Sequence, residues 1–199
     1  MTSRNPNHPV KGSSTIVEPI RSLDAISTIK EMLHDKPRDL LLFVMATNNG
    51  IRCGDLLKLK VGDLRGKNVD DTLTIKESKT GKPNFIAIND SVHSALTRFL
   101  ASGSFGDEAY LFRSQKGENN PLTIQSVNRM VKSWCRNVDL EGNYGAHSLR
   151  KTFGYVQRVH YGVGFEVLCK RFNHASPTIT MRYLGINDAE VIGILKNSI

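Results

Sequence analysis

The chain is poor in cysteine and has no long apolar segment. Its three cysteines, Cys53, Cys135 and Cys169, lie far apart, and no C-x-x-C pair or Cys/His cluster has zinc-ligand spacing. This excludes a disulfide framework and indicates reduced thiols in an intracellular protein. The longest apolar run, residues 40–46, is too short to cross a bilayer, and the N-terminus lacks the apolar core of a signal peptide. We therefore expect a cytoplasmic protein without a membrane partner.

Acidic residues are also scarce relative to basic ones. The chain has 19 Asp and Glu against 27 Lys and Arg, which gives a formal net charge of +8. Such an excess favours a polyanionic partner, most simply nucleic acid, and hence association with the nucleoid. The 39% hydrophobic and 23% charged residues are typical of a soluble globular protein. A length of 199 residues suffices for one sizeable domain with a hydrophobic core.

Apolar periodicity predicts a mainly α-helical domain with one small antiparallel β-hairpin, an α+β fold. Residues 1–20 are rich in Ser, Pro, Asn and Thr and are expected to form a flexible tail. Residues 21–199 are expected to form the domain, whose last segment, 188–199, is amphipathic and predicts a C-terminal helix. Further helices are predicted at 38–48, 90–100, 121–138 and 165–172. Asp90 is expected to cap the second of these.

Two basic residues occupy unusual positions in the first half of the chain. Arg52 begins a short helix directly after a turn at Gly50, where an aspartate would suit the helix dipole better. A surface ion pair between Arg52 and Asp55 is the alternative to a functional role. Lys79 lies at the tip of the hairpin, in the turn formed by residues 78–81. A solvated turn lysine is the alternative there.

The stretch from His147 to Tyr183 holds the groups needed to attack a phosphodiester. His147 and Arg150 are three residues apart on a predicted helix and therefore share one face. His174 precedes a helix restart at Pro177, and Tyr183 lies in or just after that helix. A phosphate requires fixed cationic donors, and a tyrosine nucleophile requires a group that accepts its proton.

One helix face and two further lysines are candidates for contacts with DNA. The predicted helix at 121–138 has one apolar face and one polar, basic face, which is ordinarily solvated but also suits a DNA groove. The candidate DNA-binding residues are Gln125, Arg129 and Lys132 on this face, together with Lys82 and Lys151.

Taken together, these pieces resemble the catalytic domain of the tyrosine recombinase (phage integrase) family, over roughly residues 20 to 198. The matching motifs, in the order of the family, are Asn49-Gly50-Ile51-Arg52, Ser78-Lys79-Thr80-Gly81, His147-Ser148-Leu149-Arg150, Phe172-Asn173-His174, and Tyr183 nine residues after His174. Each motif alone is weak, whereas five in order are strong together.

The sequence departs from the family pattern at two positions. Asn173 replaces the usual glycine before the second histidine, a change that bears on the backbone that positions His174. Lys151 stands where many members carry a further histidine. The resemblance does not include the family's separate N-terminal core-binding domain. This is similar to the short fimbrial-switch invertases or, alternatively, to a catalytic fragment of a longer integrase.

The resemblance implies a catalytic role for six residues. Tyr183 would attack the scissile phosphate and form a 3′-phosphotyrosyl link, with His147 accepting its proton. Lys79 would protonate the leaving 5′-oxygen. The phosphate would be bound by Arg52, Arg150 and His174. No metal, ATP or other cofactor is expected, since fixed cations would neutralise the phosphate and the covalent intermediate would retain the bond energy.

The implied partner is double-stranded DNA with specific recombination sites. The resemblance also implies assembly as a homotetramer on two duplexes, with the C-terminal helix of each protomer docked on a neighbour. An accessory DNA-bending protein is a further candidate partner.

Three alternative functions are compatible with parts of the sequence. A type IB topoisomerase would use the same nucleophile and cations to relax DNA within one duplex. A metal-dependent nuclease would use Asp70 or Asp71 with Glu77 and Lys79, but would leave His147 and Tyr183 without a role. A DNA-binding accessory protein with an inactive site is the third, and the intact set of six candidate groups disfavours it.

Overall fold

The computed structural model describes residues 16–185 and Lys196, and within them the fold is mainly helical with one two-stranded sheet. The predicted fold class is thereby confirmed. The expected helix at 188–199 lies outside the described residues, apart from Lys196, as does most of the expected N-terminal tail. The elements are α1 (Leu23–Met32), α2 (Pro37–Asn49), α3 (Cys53–Leu56), α4 (Val61–Leu64), β1 (Thr72–Lys76), β2 (Pro83–Ala87), α5 (Asp90–Ala101), α6 (Ile124–Asn137), α7 (Ala146–Val159), α8 (Phe165–Phe172) and α9 (Pro177–Leu184).

Helix α2 is the centre of the domain. Proline at its first position and Gly50 just after its end define the helix, because Gly50 adopts the left-handed conformation with φ of 57°. Residues 41–46 are buried on every side, and α2 packs against α5 and α7. Helix α5 is capped by the Asn89 side chain, which accepts from the Val92 N–H at 3.0 Å. The expectation of an Asp90 cap was wrong by one residue, because Asp90 already lies in the first turn.

The hairpin pairs β1 with β2 in antiparallel register from Thr72 opposite Ala87 to Lys76 opposite Pro83. Its alternation is regular on β2, where Asn84 and Ile86 are buried and their neighbours are exposed. Gly81 has φ of 67° and reverses the chain. The hairpin therefore presents residues 78–81 as a short tip at the end of two paired strands.

The segment before α1 belongs partly to the packed domain. Ile20 is fully buried, and its N–H donates to the Thr152 hydroxyl at 2.8 Å. The Glu18 N–H donates to the Asn143 carbonyl at 2.9 Å. Residues 18–20 were assigned to the flexible tail by sequence, but these contacts fix them to α7 and to the loop before it.

Helices α8 and α9 form a small unit that packs on α7 through its own apolar cluster. The cluster consists of buried Leu168, Phe172 and Leu184, with Phe153 and Tyr183 against it. Gly154 on α7 provides the close approach, since a β-carbon there would lie 2.6 Å from Leu184 Cδ2 and 2.7 Å from Phe172 Cζ. No helix within the described residues is long and apolar enough to cross a membrane.

Gly154→Ala is expected to destabilise the protein, although alanine is the better helix former. Helix propensity favours alanine by about 1 kcal/mol, whereas overpacking costs about 1–3 kcal/mol and must displace Leu184 or Phe172. Chemical denaturation of the variant measures the difference. Gly106→Ala, in the loop after α5, is the control for packing alone, because a β-carbon there meets no atom within 4 Å. Equal stability of Gly154→Ala and wild type would contradict tight packing of α9 on α7.

Candidate active site

Arg150 is the most buried cation of the site. It lies on α7 with 2% of its surface exposed. Its Nη1 donates to the Gly50 carbonyl at 2.6 Å and its Nη2 to the Phe172 carbonyl at 2.9 Å. The guanidinium also stacks over the Phe172 ring at 4.6 Å. Burial lowers the pKa of Arg150 to about 10, so the group remains charged at neutral pH and joins the ends of α2 and α8.

Arg52 forms its ion pair with Glu77 and not with Asp55. Arg52 Nη1 lies 2.7 Å from Glu77 Oε2, although the N–H bonds of Nη1 do not align with an acceptor among the described residues. Asp55 instead accepts from the Ser78 backbone N–H at 2.9 Å. The alternative of a surface Arg52–Asp55 pair was therefore wrong. The two acidic residues therefore have different partners: Asp55 binds the hairpin turn, and Glu77 binds Arg52.

Three of the six candidate catalytic residues line one cavity of about 350 Å³. Arg52 enters it from the start of α3, Lys79 from the hairpin tip and His147 from the first turn of α7. Lys58, just after α3, also lines it and donates from Nζ to the Ser78 hydroxyl at 2.7 Å, which adds a further contact to the tip. The tip is thus fixed by its neighbours while Lys79 remains exposed.

His147 lies within the electrostatic field of four cations. His147 is exposed as a whole residue, but neighbouring atoms partly desolvate its imidazole ring. This desolvation lowers the pKa of His147 below the usual 6.5. The charges of Arg150, Arg52, Lys79 and Lys151 lower it further. A neutral imidazole can accept a proton, so the surroundings keep His147 in the form that a general base requires at neutral pH.

His174 is oriented by a hydrogen bond from the next helix. Its Nδ1 lies 2.9 Å from the Thr180 hydroxyl oxygen, and Thr180 is fully buried. Burial, with Arg150 and Arg52, lowers the pKa of His174 to about 4. Asn173 takes the left-handed conformation with φ of 54° that ends α8. Asparagine tolerates this region better than most residues, so the departure from glycine preserves the turn before His174.

Tyr183 lies on α9, near the charged side chains of Arg150 and Arg52. Its ring packs edge-on against His174 at 5.2 Å and Phe172 at 5.6 Å. The hydroxyl oxygen is buried and has no aligned hydrogen-bond partner within residues 16–185. Burial raises the pKa of Tyr183 to about 12, and the nearby charges of Arg150 and Arg52 act in the opposite direction. The buried hydroxyl therefore depends on these cations if it is to lose its proton.

The lowered pKa of His174 predicts a loss of stability in acid. A histidine whose pKa falls from 6.5 to about 4 on folding stabilises the native state fully above pH 6.5. That contribution is lost as the pH falls from 6.5 towards 4, because the unfolded chain then binds the extra proton. His174→Gln is expected to flatten this part of the curve of unfolding free energy against pH. His93→Gln, on α5 outside the site, is the control. An unchanged slope in His174→Gln would contradict the assignment.

The candidate DNA-binding residues occupy different environments. Gln125, Arg129 and Lys132 lie on the exposed side of α6, and Lys82 is exposed beside the hairpin tip. Lys151 does not belong to this surface, since it is 7% exposed and its Nζ lies over the Tyr183 ring at 5.1 Å. In the structure Lys151 therefore contacts the tyrosine helix and is apart from the exposed side of α6.

Three residues that hold other groups of the site in place were not predicted from the sequence to do so. Glu77 was considered only as a metal ligand, Thr180 not at all, and Arg171 only as a helix residue. Arg171 donates to the Asn49 carbonyl at 2.5 Å and to the Phe85 carbonyl at 2.8 Å, and so joins α8 to the hairpin. The only sequence signal was the proximity of Glu77 to Lys79, because the partners of these residues are remote in the chain.

Comparison with known proteins decides the family. Residues 21–190 match the Phage integrase family. The chain belongs to this family. It is 36% identical over 176 residues to the probable integrase/recombinase YoeC of Bacillus subtilis (strain 168), covering 87% of this chain and 92% of the relative. Other tyrosine recombinases match over 43% to 60% of their length, so the chain spans about half of these relatives.

Solved structures of the family share the fold. The crystal structure of XerA recombinase superposes with a TM-score of 0.72 at 20% identity, over 92% of this chain and 67% of that one. XerH recombinase, in a post-cleavage complex with a palindromic difH substrate, gives a TM-score of 0.71 at 21% identity. That match covers 96% of this chain and 57% of that one. The predicted fold is thereby confirmed.

Proposed function

We propose that this integrase-family protein is a site-specific DNA recombinase of the integrase or invertase type, acting through a 3′-phosphotyrosyl intermediate. The observation that carries the proposal is the Tyr183 hydroxyl, which is buried beside Arg150 and Arg52 without an aligned partner in the described part of the chain. A buried polar atom without a partner is costly. A tetrahedral phosphate between the arginines and the tyrosine would give each of them an interaction.

In the cleavage step Tyr183 Oη forms a bond to the scissile phosphorus and the bond from phosphorus to the 5′-oxygen breaks. His147 takes the phenolic proton, and Lys79 gives a proton to the departing 5′-oxygen. An ammonium suits the second task because it can lose its proton, whereas a guanidinium cannot. Attack by a 5′-hydroxyl of a second strand reverses the step and rejoins the DNA.

Arg52 and Arg150 would bind the non-bridging oxygens of the phosphate, with His174 donating a third hydrogen bond. Thr180 supports this role, since its hydroxyl can donate to His174 Nδ1 and so leave the proton on Nε2. Fixed donors of this kind need no reorganisation when charge develops. In this scheme the cations of the chain neutralise the phosphate, and the phosphotyrosine retains the bond energy, so neither metal nor ATP takes part.

The proposed partner is double-stranded DNA bearing recombination sites. The net charge of +8 and the exposed basic side of α6 support it, as do solved relatives such as XerH bound to difH. We further propose that four protomers assemble on two duplexes together with an accessory DNA-bending protein. The place of action is then the nucleoid in the cytoplasm.

One alternative, a metal-dependent nuclease, fits the site less well. Glu77, which a metal-dependent nuclease would use as a ligand, is paired with Arg52 at 2.7 Å. Within residues 16–185, no three His, Cys, Asp or Glu side chains are grouped so that they could hold a metal ion. A type IB topoisomerase would share the site, and its product distinguishes it, namely relaxed circles in place of exchanged strands.

The test is covalent capture of DNA by the wild-type protein in EDTA. The probe is a pool of nicked duplexes with a randomised central segment, whose nick prevents religation after cleavage. We expect an adduct that survives denaturant, attaches to the peptide containing Tyr183 and enriches one DNA sequence over successive rounds. Attachment to another residue, or loss of the adduct in EDTA, would overturn the proposal.

A further inference from the structure

We propose that Glu77 is a positioning residue. It holds Arg52 and Arg150 at fixed positions relative to the hairpin tip that carries Lys79. The inference rests on the proposed function, because it concerns the same cleavage step. It assigns a role to a carboxylate that lies among the cations of the site and would not itself touch the phosphate.

Glu77 is bound from four directions although its side chain is fully buried. Its Oε2 lies 2.7 Å from Arg52 Nη1, and its Oε1 lies 3.9 Å from Arg150 Nη1. The Thr80 hydroxyl donates to Oε2 at 2.7 Å and Asn84 Nδ2 donates to Oε1 at 2.9 Å. One carboxylate therefore contacts both arginines, the hairpin turn and strand β2.

The backbone of Glu77 closes the turn that carries Lys79. Its N–H donates to the Lys82 carbonyl, and its carbonyl accepts from the Gly81 N–H, each at 2.9 Å. The side chain and the main chain of one residue thus fix the tip and the arginines relative to each other. A shift of the hairpin would move Lys79 and release Arg52 at the same time.

Glu77 is ionised in the folded protein at neutral pH. Burial alone would raise the pKa of this carboxyl, but the hydrogen bonds from Thr80 and Asn84 and the positive charge of Arg52 outweigh it and lower the pKa to about 2. A negative charge in a phosphate-binding site weakens attraction to DNA. Arg52 also lowers the pKa of Arg150, which reflects repulsion between the two cations. Glu77 counteracts that repulsion and so permits both arginines to face one phosphate.

Glu77→Gln tests the role with little change in shape. We expect the single-turnover rate of adduct formation to fall about 10–100-fold, since a misplacement near 1 Å has an effect of this order. The dissociation constant for the same duplex, measured in parallel, is expected to stay unchanged or to decrease a few-fold, because a negative charge is removed. This separation of rate from affinity distinguishes positioning from loss of the fold, which would impair both.

Two further variants complete the test. Glu108→Gln makes the same change in net charge at an exposed site that pairs with Lys60, and is expected to cleave at the wild-type rate. Glu77→Asp keeps the charge but shortens the side chain, so its rate should lie between Glu77→Gln and wild type. A wild-type cleavage rate in Glu77→Gln, or an equal loss of rate and affinity in both Glu77 variants, would overturn the inference. Failure of the wild type to form any adduct would instead overturn the proposed function.

Discussion

Tyr183→Phe is expected to abolish the covalent adduct while leaving the fold and the affinity for DNA intact. Removal of a catalytic nucleophile lowers a rate by on the order of 10⁶, so no adduct should be detectable. The Tyr183 hydroxyl has no aligned partner among residues 16–185, and the ring contacts with Phe172 and His174 remain in the variant. We therefore expect its unfolding free energy to stay within about 0.5 kcal/mol of wild type. Covalent capture in EDTA and chemical denaturation measure the two effects.

Tyr161→Phe is the matched control for this experiment, because Tyr161 is 71% exposed and lies just after α7. It should form the adduct at the wild-type rate. An adduct formed by Tyr183→Phe would show that another residue attacks the phosphate. Loss of DNA affinity in that variant would show that the hydroxyl serves binding and not only the covalent step.

Arg150→Lys is expected to lose both activity and stability, although the charge is retained. Lysine offers one donor nitrogen where arginine places Nη1 on the Gly50 carbonyl and Nη2 on the Phe172 carbonyl. We therefore expect at least one of these two acceptors to lose its partner. This costs about 1–3 kcal/mol of unfolding free energy. Loss of one preorganised donor to the phosphate typically lowers the rate by about 10²–10³. Single-turnover cleavage and denaturant unfolding, measured below the transition of the variant, separate the two losses.

Arg98→Lys is the control for a change of arginine to lysine at an ordinary surface position on α5. Its guanidinium lies 3.7 Å from exposed Asp35, and surface pairs of this kind contribute little. We expect both its activity and its stability to match wild type. If Arg150→Lys cleaved DNA as fast as Arg98→Lys, the proposed role of the Arg150 guanidinium in binding the phosphate would be wrong.

Local sequence signals predicted much of the fold. The helix predicted at 38–48 formed as Pro37–Asn49, and residues 165–172 formed a helix with the predicted bounds. The hairpin followed from alternation on both sides of Gly81. These features depend on backbone preferences of a few adjacent residues, and for that reason they can be read without a structure. The Asp90 cap was missed by one residue because Asn89 and Asp90 are both good caps.

The candidate site was predicted by motif order more than by chemistry. Arg52, Lys79 and His147 were named from sequence, and the structure places all three around one cavity. Their catalytic roles stay predictions. The DNA-binding role of Lys151 also stays a prediction, but its burial against the Tyr183 ring could not be predicted, because no pattern within α7 reveals that contact.

By itself, the sequence determined the family, the order of the elements and the identity of the groups that would attack and bind a phosphate. Those properties reside in residue types and short spacings. Only the tertiary structure decided that Glu77 pairs with Arg52 and that Arg150 joins the Gly50 and Phe172 carbonyls. These contacts span up to 100 residues of chain. They form because burial removes water from the charged groups, which must then find partners within the protein, and the fold alone determines which partners lie within reach.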